Sequence, residues 1–429
     1  MLADNVETYQ PTPLFDEIKR DAGYDECPNG ADGRPDCSNI QAHSLDLDGD
    51  PIVEAMDAWR ARKARSLGSQ STGAPADIPV LMLSGGGGWG AFGAGYLNAL
   101  GKRDWAVVTG VSTGALQGLY IAAGDYDRLQ AAYDINKESD LARPNGLFGV
   151  LLRGSEYDIG PLREKVLDYL APATGESPLL RIARPGSPAL SVAMVEARSG
   201  DLRVVHVSRM VRAAFGSNPR PTPVEVRRVA ACVAGVVIGS SSIPARLTPV
   251  RIDGHTYVDG GVRSSVFDVA IGRRMTQYAA RAAAAPAPAP RPDAARPHLY
   301  VIRNGPTIVF RDADDKDHPG VAQVDARPDI LRVGLRGYST IVNQNEVTSI
   351  AALRLTYPRG GISVISADGF NAPNNPGPCG PRPAALFSAP FMHCLIGWGR
   401  YKATNGPHFI DLRELEAEDP LAELRGGKR

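Results

Sequence analysis

The chain has 429 residues, with 47 basic and 47 acidic side chains and a formal net charge of zero; 43% of residues are hydrophobic and 22% charged. That balance is ordinary for a globular protein. It offers no basic surplus for neutralising nucleic-acid phosphates or for polybasic anchoring to anionic lipid. No apolar run reaches the length of about 18 residues that a spanning helix needs. Met1-Leu2-Ala3-Asp4-Asn5 shows no charged segment followed by an apolar one, so the sequence as written is read without a signal peptide, a processed export signal remaining the alternative.

Residues 1–75 read as irregular and polar, with one helix near Ile52–Ser66, and Gly68–Asp77 reads as a linker. The core is expected to begin at Ile78. Val80-Leu81-Met82-Leu83 is an apolar run with the character of a buried strand. Ser84, the glycines Gly85, Gly86, Gly87 and Gly88, and Trp89 follow, and Gly90–Leu100 has helical spacing. A strand, a glycine turn and a helix N-terminus make an anion site, either for a phosphate or for an oxyanion that exists only in a transition state.

Trp105–Thr109 is predicted as the second strand. Gly110-Val111-Ser112-Thr113-Gly114 follows, and then a helix of small and apolar residues closed by Gly124. Pro161 suits the start of a helix running to Leu170. Ala189–Ala197 and Leu202–Val207 read as strands around Arg198–Asp201, and Val224–Ile238 as a helix. Leu247–Ile252 and Thr256–Val258 flank the turn dipeptide Asp253-Gly254, and the second of these strands runs into Asp259-Gly260-Gly261. Ala282–Pro297 is Ala/Pro low complexity, read as an exposed insertion. His298–Arg303 is a strand, Ile330–Leu355 a long helix, Gly361–Ile365 a strand and Ala389–Ala403 a final helix. Strands alternating with helices predict an α/β fold with a mainly parallel central sheet and helices on both faces.

Cys27 with Cys37 and Cys379 with Cys394 form two close pairs, while Cys232 sits in an apolar helical pattern and reads as core. The pairs read either as disulfides, favouring the cell envelope, periplasm or exterior, or as thiols of a cytoplasmic protein.

Gly110-Val111-Ser112-Thr113-Gly114 fits the nucleophile elbow G-x-S-x-G between a strand and a helix. Ser112 would stand at a helix N-terminus, where the dipole favours negative charge on its oxygen; the plain alternative is a serine N-cap. A nucleophilic serine needs a base. His206, His255, His298, His318, His393 and His408 all follow Ser112, but none lies in a motif placed for catalysis. Asp259 ends a strand before two glycines, at the sheet end where α/β folds put ligands. Its carboxylate can take a serine proton in a dry site; the plain alternative is a turn-capping aspartate. By alternation His255 shares a strand face with Tyr257 and Asp259.

Gly88-x-Gly90-x-x-Gly93 also fits the dinucleotide fingerprint, but the following strand ends in Gly110-Val111-Ser112 where an acidic residue is wanted. No Gly-Lys-Ser/Thr closes a P-loop. Asp46–Asp50 and Asp312–Asp317 lack the distal Glu of a calcium loop. Neither cofactor nor metal is expected.

Together, Gly85-Gly86-Gly87-Gly88-Trp89-Gly90, Gly110-Val111-Ser112-Thr113-Gly114 and Asp259-Gly260-Gly261 resemble the motif set of the patatin-like phospholipases, over about Ile78 to Val269. Gly90–Gly95, Tyr157-Asp158 before Pro161 and the tail from Leu331 to Tyr401 resemble a bacterial branch often found in the envelope. The resemblance implies a three-layer sandwich spanning residues 76–415, interrupted by 282–297, with an extension over 1–75 and a tail over 416–429. It implies a Ser112–Asp259 dyad, with the amides of Gly86, Gly87 and Gly88 as the oxyanion hole and no cofactor. The substrate implied is a lipid or acyl ester, reached by transient contact with a membrane surface. Many members carry Arg or Lys where this chain has Trp89, which opens the head-group preference to neutral lipids and simple esters. The competing readings are a Ser–His–acid esterase and a lipid-binding protein without turnover. Ala91–Leu100 and Val224–Ile243 are the candidate walls of an acyl groove.

Overall fold

The computed structural model describes residues 7–9, 49–67, 77–146, 155–215, 218, 220–267, 269–284, 296–307, 330–372, 379–380, 385–406 and 408–417. A short strand β1 (Glu7–Tyr9) and helix α1 (Pro51–Leu67) come first. They are followed by β2 (Ile78–Leu83), a 3-10 turn at Gly87–Trp89, α2 (Gly90–Leu100), β3 (Val107–Val111), α3 (Thr113–Ala123) and α4 (Tyr126–Tyr133). The ribbon β4 (Arg143–Pro144) and β5 (Tyr157–Asp158) leads to α5 (Gly160–Leu170) and α6 (Pro178–Ala183). Next are β6 (Ala189–Glu196), β7 (Leu202–Val205), α7 (Val207–Phe215), α8 (Pro223–Ser241) and the hairpin β8 (Val250–Ile252) with β9 (His255–Asp259). The chain continues as α9 (Val269–Ala284), β10 (Pro297–Arg303), α10 (Ile330–Thr356), β11 (Gly361–Ser366), α11 (Ala389–Asn405), β12 (Ile410–Asp411) and α12 (Leu412–Ala417).

One sheet runs in the order β1-β8-β9-β6-β3-β2-β10-β11-β12, with β7 on β6. β6, β3, β2, β10 and β11 are parallel to one another, and β9, β7 and β12 run antiparallel to their neighbours. The alternation of side chains along each strand divides the core in two. Leu81, Leu83, Val108, Leu190 and Val192 face a cluster built with α2, α3, α5, α8 and α11. Ile78, Val80, Met82, Val107 and Val195 face a second cluster, closed by Ile52, Met56 and Trp59 of α1 and by Ile271 and Met275 of α9. Strands covered on both faces read as continuous apolar runs, which is why β2 and β3 do. The expected α/β architecture, a mainly parallel sheet flanked by helices, is therefore present.

Several boundaries differ from expectation. The second strand is Val107–Val111 and not Trp105–Thr109, so β3 ends directly at Ser112. The strand predicted over Leu202–Val207 stops at Val205. Val207, Met210, Val211 and Phe215 then bury one face of α7, whose helical spacing the apolar 202–207 run obscured. α8 continues past Gly239 to Ser241; the Ser241 and Ser242 hydroxyls donate back to Val237 O and Ile238 O. α9 was not anticipated. Its last turn includes Ala282–Ala284 of the predicted Ala/Pro insertion, and Pro297 opens β10, while residues 285–295 lie outside the described residues. α11 is not the final helix, since α12 follows it.

Cys379 and Cys394 are joined by a disulfide. Cys232 is buried in α8. Cys27, Cys37 and Asp312–Asp317 lie outside the described residues. Among the described residues no helix is long and apolar enough to cross a membrane.

The helix at Pro51–Leu67 starts where Asp50 Oδ1 accepts the Ile52 and Val53 amides, and Asp50 also pairs with Arg274 of α9. Trp59 is buried, and its indole N–H donates to Asp104 O at 2.8 Å. Trp59→Ala should therefore cost about 3–5 kcal/mol of stability, through lost burial and an incompletely filled cavity. Chemical denaturation measures it; a cost under about 1 kcal/mol would show that α1 does not close the second core.

Candidate active site

β3 ends at Ser112, whose backbone lies at φ 53° and ψ −125°, a region that non-glycine residues rarely occupy. Such a conformation costs on the order of 1–3 kcal/mol and persists only where neighbours fix it. Here the Ser112 N–H donates to Ser240 Oγ at 2.9 Å, and the Ser240 hydroxyl donates to Ala193 O at 2.6 Å. The motif glycines make room for the turn. A methyl at Gly110, Gly114 or Gly260 would lie 2.3 Å from Gly114 O, 2.3 Å from Leu83 O or 2.6 Å from Ala193 O. Ser112 occupies the N-cap position of α3, yet its hydroxyl makes no capping bond. It donates to Asp259 Oδ2 at 2.6 Å.

Asp259 closes β9 opposite Met194 of β6, and its amide donates to Ser242 O at 2.9 Å. Its second oxygen, Oδ1, accepts the Gly261 N–H at 2.7 Å. The carboxylate thus caps the turn with one oxygen and receives the serine with the other. It is 3% exposed. Burial pushes its pKa up to about 6, against the opposing effect of the Ser112 and Gly261 hydrogen bonds. Tyr338 of α10 is near enough for the Asp259 charge, after its own burial, to raise the phenol further.

The described histidines are engaged elsewhere or exposed. His255 Nδ1 meets Glu196 Oε1 at 2.7 Å, His206 Nδ1 meets Ser191 Oγ at 2.9 Å, and burial lowers the His206 pKa to about 4. His298 Nε2 meets Ser363 Oγ at 2.9 Å and His393 Nε2 meets Asp134 Oδ1 at 2.8 Å. His408 is exposed and His318 lies outside the described residues.

In the glycine loop, the Gly85 amide is occupied by Ser265 O at 3.1 Å. Among the described residues the amides of Gly86, Gly87, Gly88 and Thr113 have no acceptor. Gly86 has φ 149°, and a methyl there would lie 2.0 Å from Asn304 O. Gly90 packs on Thr113, whose hydroxyl bonds Tyr133 at 2.7 Å. Gly87 and Ser112 open into the same cavity, of ≈ 190 Å³. Its wall follows α3 through Leu116 and Tyr120 and is completed by Leu141, Leu162, Val166 and Met392, with Lys165 the one charged lining residue among the described residues.

The expected groove walls are corrected in part. Ser241 and Ile243 line the cavity, but Ala91–Leu100 do not. α2 is pressed instead against α11, where a methyl at Gly95 would lie 2.2 Å from Ile396 O and one at Gly399 2.1 Å from Phe92 O. Trp89 also turns away from the cavity. It is buried edge-on against Phe370 and Phe391, with ring centroids at 4.9 and 5.0 Å. Ser240, Gln117, Asn304 and the Thr113 amide were not singled out by sequence. The elbow motif itself could have pointed to Thr113, because the residue after the nucleophile commonly offers its N–H.

Residues 81–270 match the family model described as patatin-like phospholipase. That match supports a lipid acyl hydrolase in general. No protein of curated function matches the chain. The crystal structure of VipD from Legionella pneumophila is similar over 75% of this chain and 67% of its own, at 13% identity and a TM-score of 0.27.

The raised Asp259 pKa has a stability consequence. The folded protein holds this proton more tightly than the unfolded chain, whose carboxyl titrates near 3.8. The group's contribution to folding is complete below pH about 4 and is lost as pH rises through about 6. Asp259→Asn removes the buried charge. Relative to the parent, it should gain on the order of 3 kcal/mol of stability between pH 4 and pH 7. Denaturant midpoints at the two pH values test this, and an equal difference at both would reject the burial cost.

Proposed function

We propose that the protein is a serine hydrolase of lipid acyl esters, of phospholipase A or lysophospholipase type, acting through a Ser112–Asp259 dyad. The observation that carries the reading is the 2.6 Å hydrogen bond from the Ser112 hydroxyl to a buried carboxylate, beside the amides of Gly87 and Thr113, which have no acceptor among the described residues and belong to the lining of an apolar cavity. Ser112 Oγ attacks the ester carbonyl as its proton passes to Asp259. The tetrahedral oxyanion is received by the amides of Gly86 and Gly87, with those of Gly88 and Thr113 beside them. Collapse expels the alcohol, which takes the proton from Asp259, and water attacks the acyl-serine with Asp259 again as base. The acyl chain lies along α3 from Thr113 to Tyr120, a distance of about 10 Å at the helical rise. A Ser–His–acid esterase is disfavoured because the acceptor on Ser112 is a carboxylate. A binding protein without turnover would have no need of a serine held in a strained backbone against a base.

Trp89 lies in the core and so leaves head-group choice to the cavity mouth. The Cys379–Cys394 disulfide fits an oxidising compartment, in the envelope or outside the cell. The catalytic unit is assigned to residues 76–415.

Ser112→Ala and Asp259→Asn should each stay folded and reduce ester hydrolysis to background. For the parent, kcat/KM should rise with pH through about 6, as Asp259 loses its proton. Each methylene that enters the cavity should raise kcat/KM about fourfold, from ~0.8 kcal/mol of burial. Lysophospholipids and p-nitrophenyl esters of graded chain length supply the assay. Full turnover by Ser112→Ala would reject the reading, as would loss of activity in any single His→Ala variant that remains folded.

A further inference from the structure

The donor loop consists of glycines and has no side chain of its own to hold it. We propose that Gln117 and Asn304 are positioning residues that lock this loop to the nucleophile helix; the proposal rests on the serine-hydrolase reading. Gln117 lies on α3, five residues after Ser112, and Asn304 follows the last residue of β10. Their side-chain amides pair reciprocally. Gln117 Nε2 donates to Asn304 Oδ1 at 3.0 Å, and Asn304 Nδ2 donates to Gln117 Oε1 at 2.9 Å.

Each amide has one donor left, and the two are spent on opposite ends of the loop. Asn304 Nδ2 donates to Ser84 O at 2.8 Å, just before the glycines, and Gln117 Nε2 donates to Gly90 O at 2.7 Å, just after them. The Asn304 backbone N–H donates to Ser84 Oγ at 2.8 Å, and that hydroxyl donates to Gly85 O at 2.8 Å. All side-chain donors of the pair are satisfied, and Gln117, Asn304 and Ser84 are buried. A buried polar network with every member satisfied is rigid, because each broken bond leaves an unpaired group in a low dielectric.

Two glycines fit around this pair. Gly86 lies on the Asn304 backbone, and a methyl at Gly93 would fall 2.3 Å from Asn304 Oδ1 and 2.5 Å from Gln117 Nε2. Neither Gln117 nor Asn304 lines the cavity, so neither touches substrate. What they determine is the separation of the loop amides from Ser112 Oγ. Oxyanion donors work only when held within about 0.5 Å of the productive position, and a displacement near 1 Å can cost about 10²-fold in rate.

The test uses Gln117→Glu, Gln117→Met, Asn304→Asp and Gly93→Ala in the full chain; Gly93→Ala wedges the pair without removing it. Each variant that is folded by circular dichroism and thermal melting should lose about 10²-fold in kcat, with KM within about twofold of the parent because the cavity is untouched. An alkyl aldehyde, which forms a hemiacetal on Ser112 Oγ and places its oxygen on the donors, should bind more weakly in proportion to the fall in kcat/KM. An alkane of the same chain length, which meets only the cavity, should bind as before. A folded variant with unchanged kcat, or with its loss confined to KM, would overturn the proposal. Failure of all four to fold would assign the pair to stability alone and overturn it too. Ser112→Ala is run alongside. If it retains turnover, the hydrolase reading itself fails; if it is inactive while the Gln117 and Asn304 variants keep full kcat, only the positioning role fails.

Discussion

A carboxylate removed from water beside a serine is the costly arrangement around which the rest is built. Asp259 is kept from solvent by the ends of β6 and β9 and by the loop that follows it, and it receives two hydrogen bonds, one from Ser112 and one from Gly261. Two bonds are too few to cancel the desolvation of a full charge, so its pKa stays high. That imbalance makes it a better proton acceptor than an exposed aspartate, because its basicity sits closer to neutral pH. The strained Ser112 backbone adds a second local cost, offset by the Ser240 hydroxyl and by the packing of α3. Both costs fall where the strands end, and the two buried clusters on either face of the sheet supply the stability that tolerates them.

The sheet order explains why residues so distant in sequence converge. β2 sits between β3 and β10, and all three are parallel. Their carboxyl ends deliver the glycine loop, Ser112 and Asn304 side by side. β9 reaches the same end of the sheet from the other side of β6, running antiparallel, so Asp259 arrives at the end of its own strand. Crevices at strand carboxyl ends are where open α/β sheets hold ligands. Here the crevice continues into an apolar cavity along α3.

Local chemistry was the legible part of the sequence. Apolar runs marked β2 and β10, Gly124 marked the end of α3, and Asp253-Gly254 marked the hairpin, where both residues have positive φ. Ser112 and Asp259 stood out because each sits in a glycine-flanked turn after an apolar segment. The fastening of the site was not legible. Asn304 follows an ordinary strand and Gln117 lies inside an apolar helix, and nothing short of the fold brings residues 187 positions apart into contact. One of the two expected groove walls was misassigned for a related reason. An apolar, small-residue helix reads alike whether it lines a cavity or packs on another helix, and α2 does the latter.

Trp89 shows how a single residue can change the meaning of a motif. At that position a cation would extend from the loop toward an anionic group. An indole in the same place has no such reach, and it gains most by burial against other rings. Phe370 and Phe391 supply those rings, and both come from the distal part of the chain, which the Cys379–Cys394 disulfide ties to α11. α11 also contributes Met392 to the cavity wall, and Leu386 O lies 3.1 Å from where a methyl at Gly88 would project. The C-terminal segment therefore does two things at once. It buries the residue that ends the glycine loop, and it forms one side of the space into which that loop opens. The shape of this site accordingly depends on residues more than 250 positions downstream of the loop they touch, outside the stretch that carries the recognisable motifs.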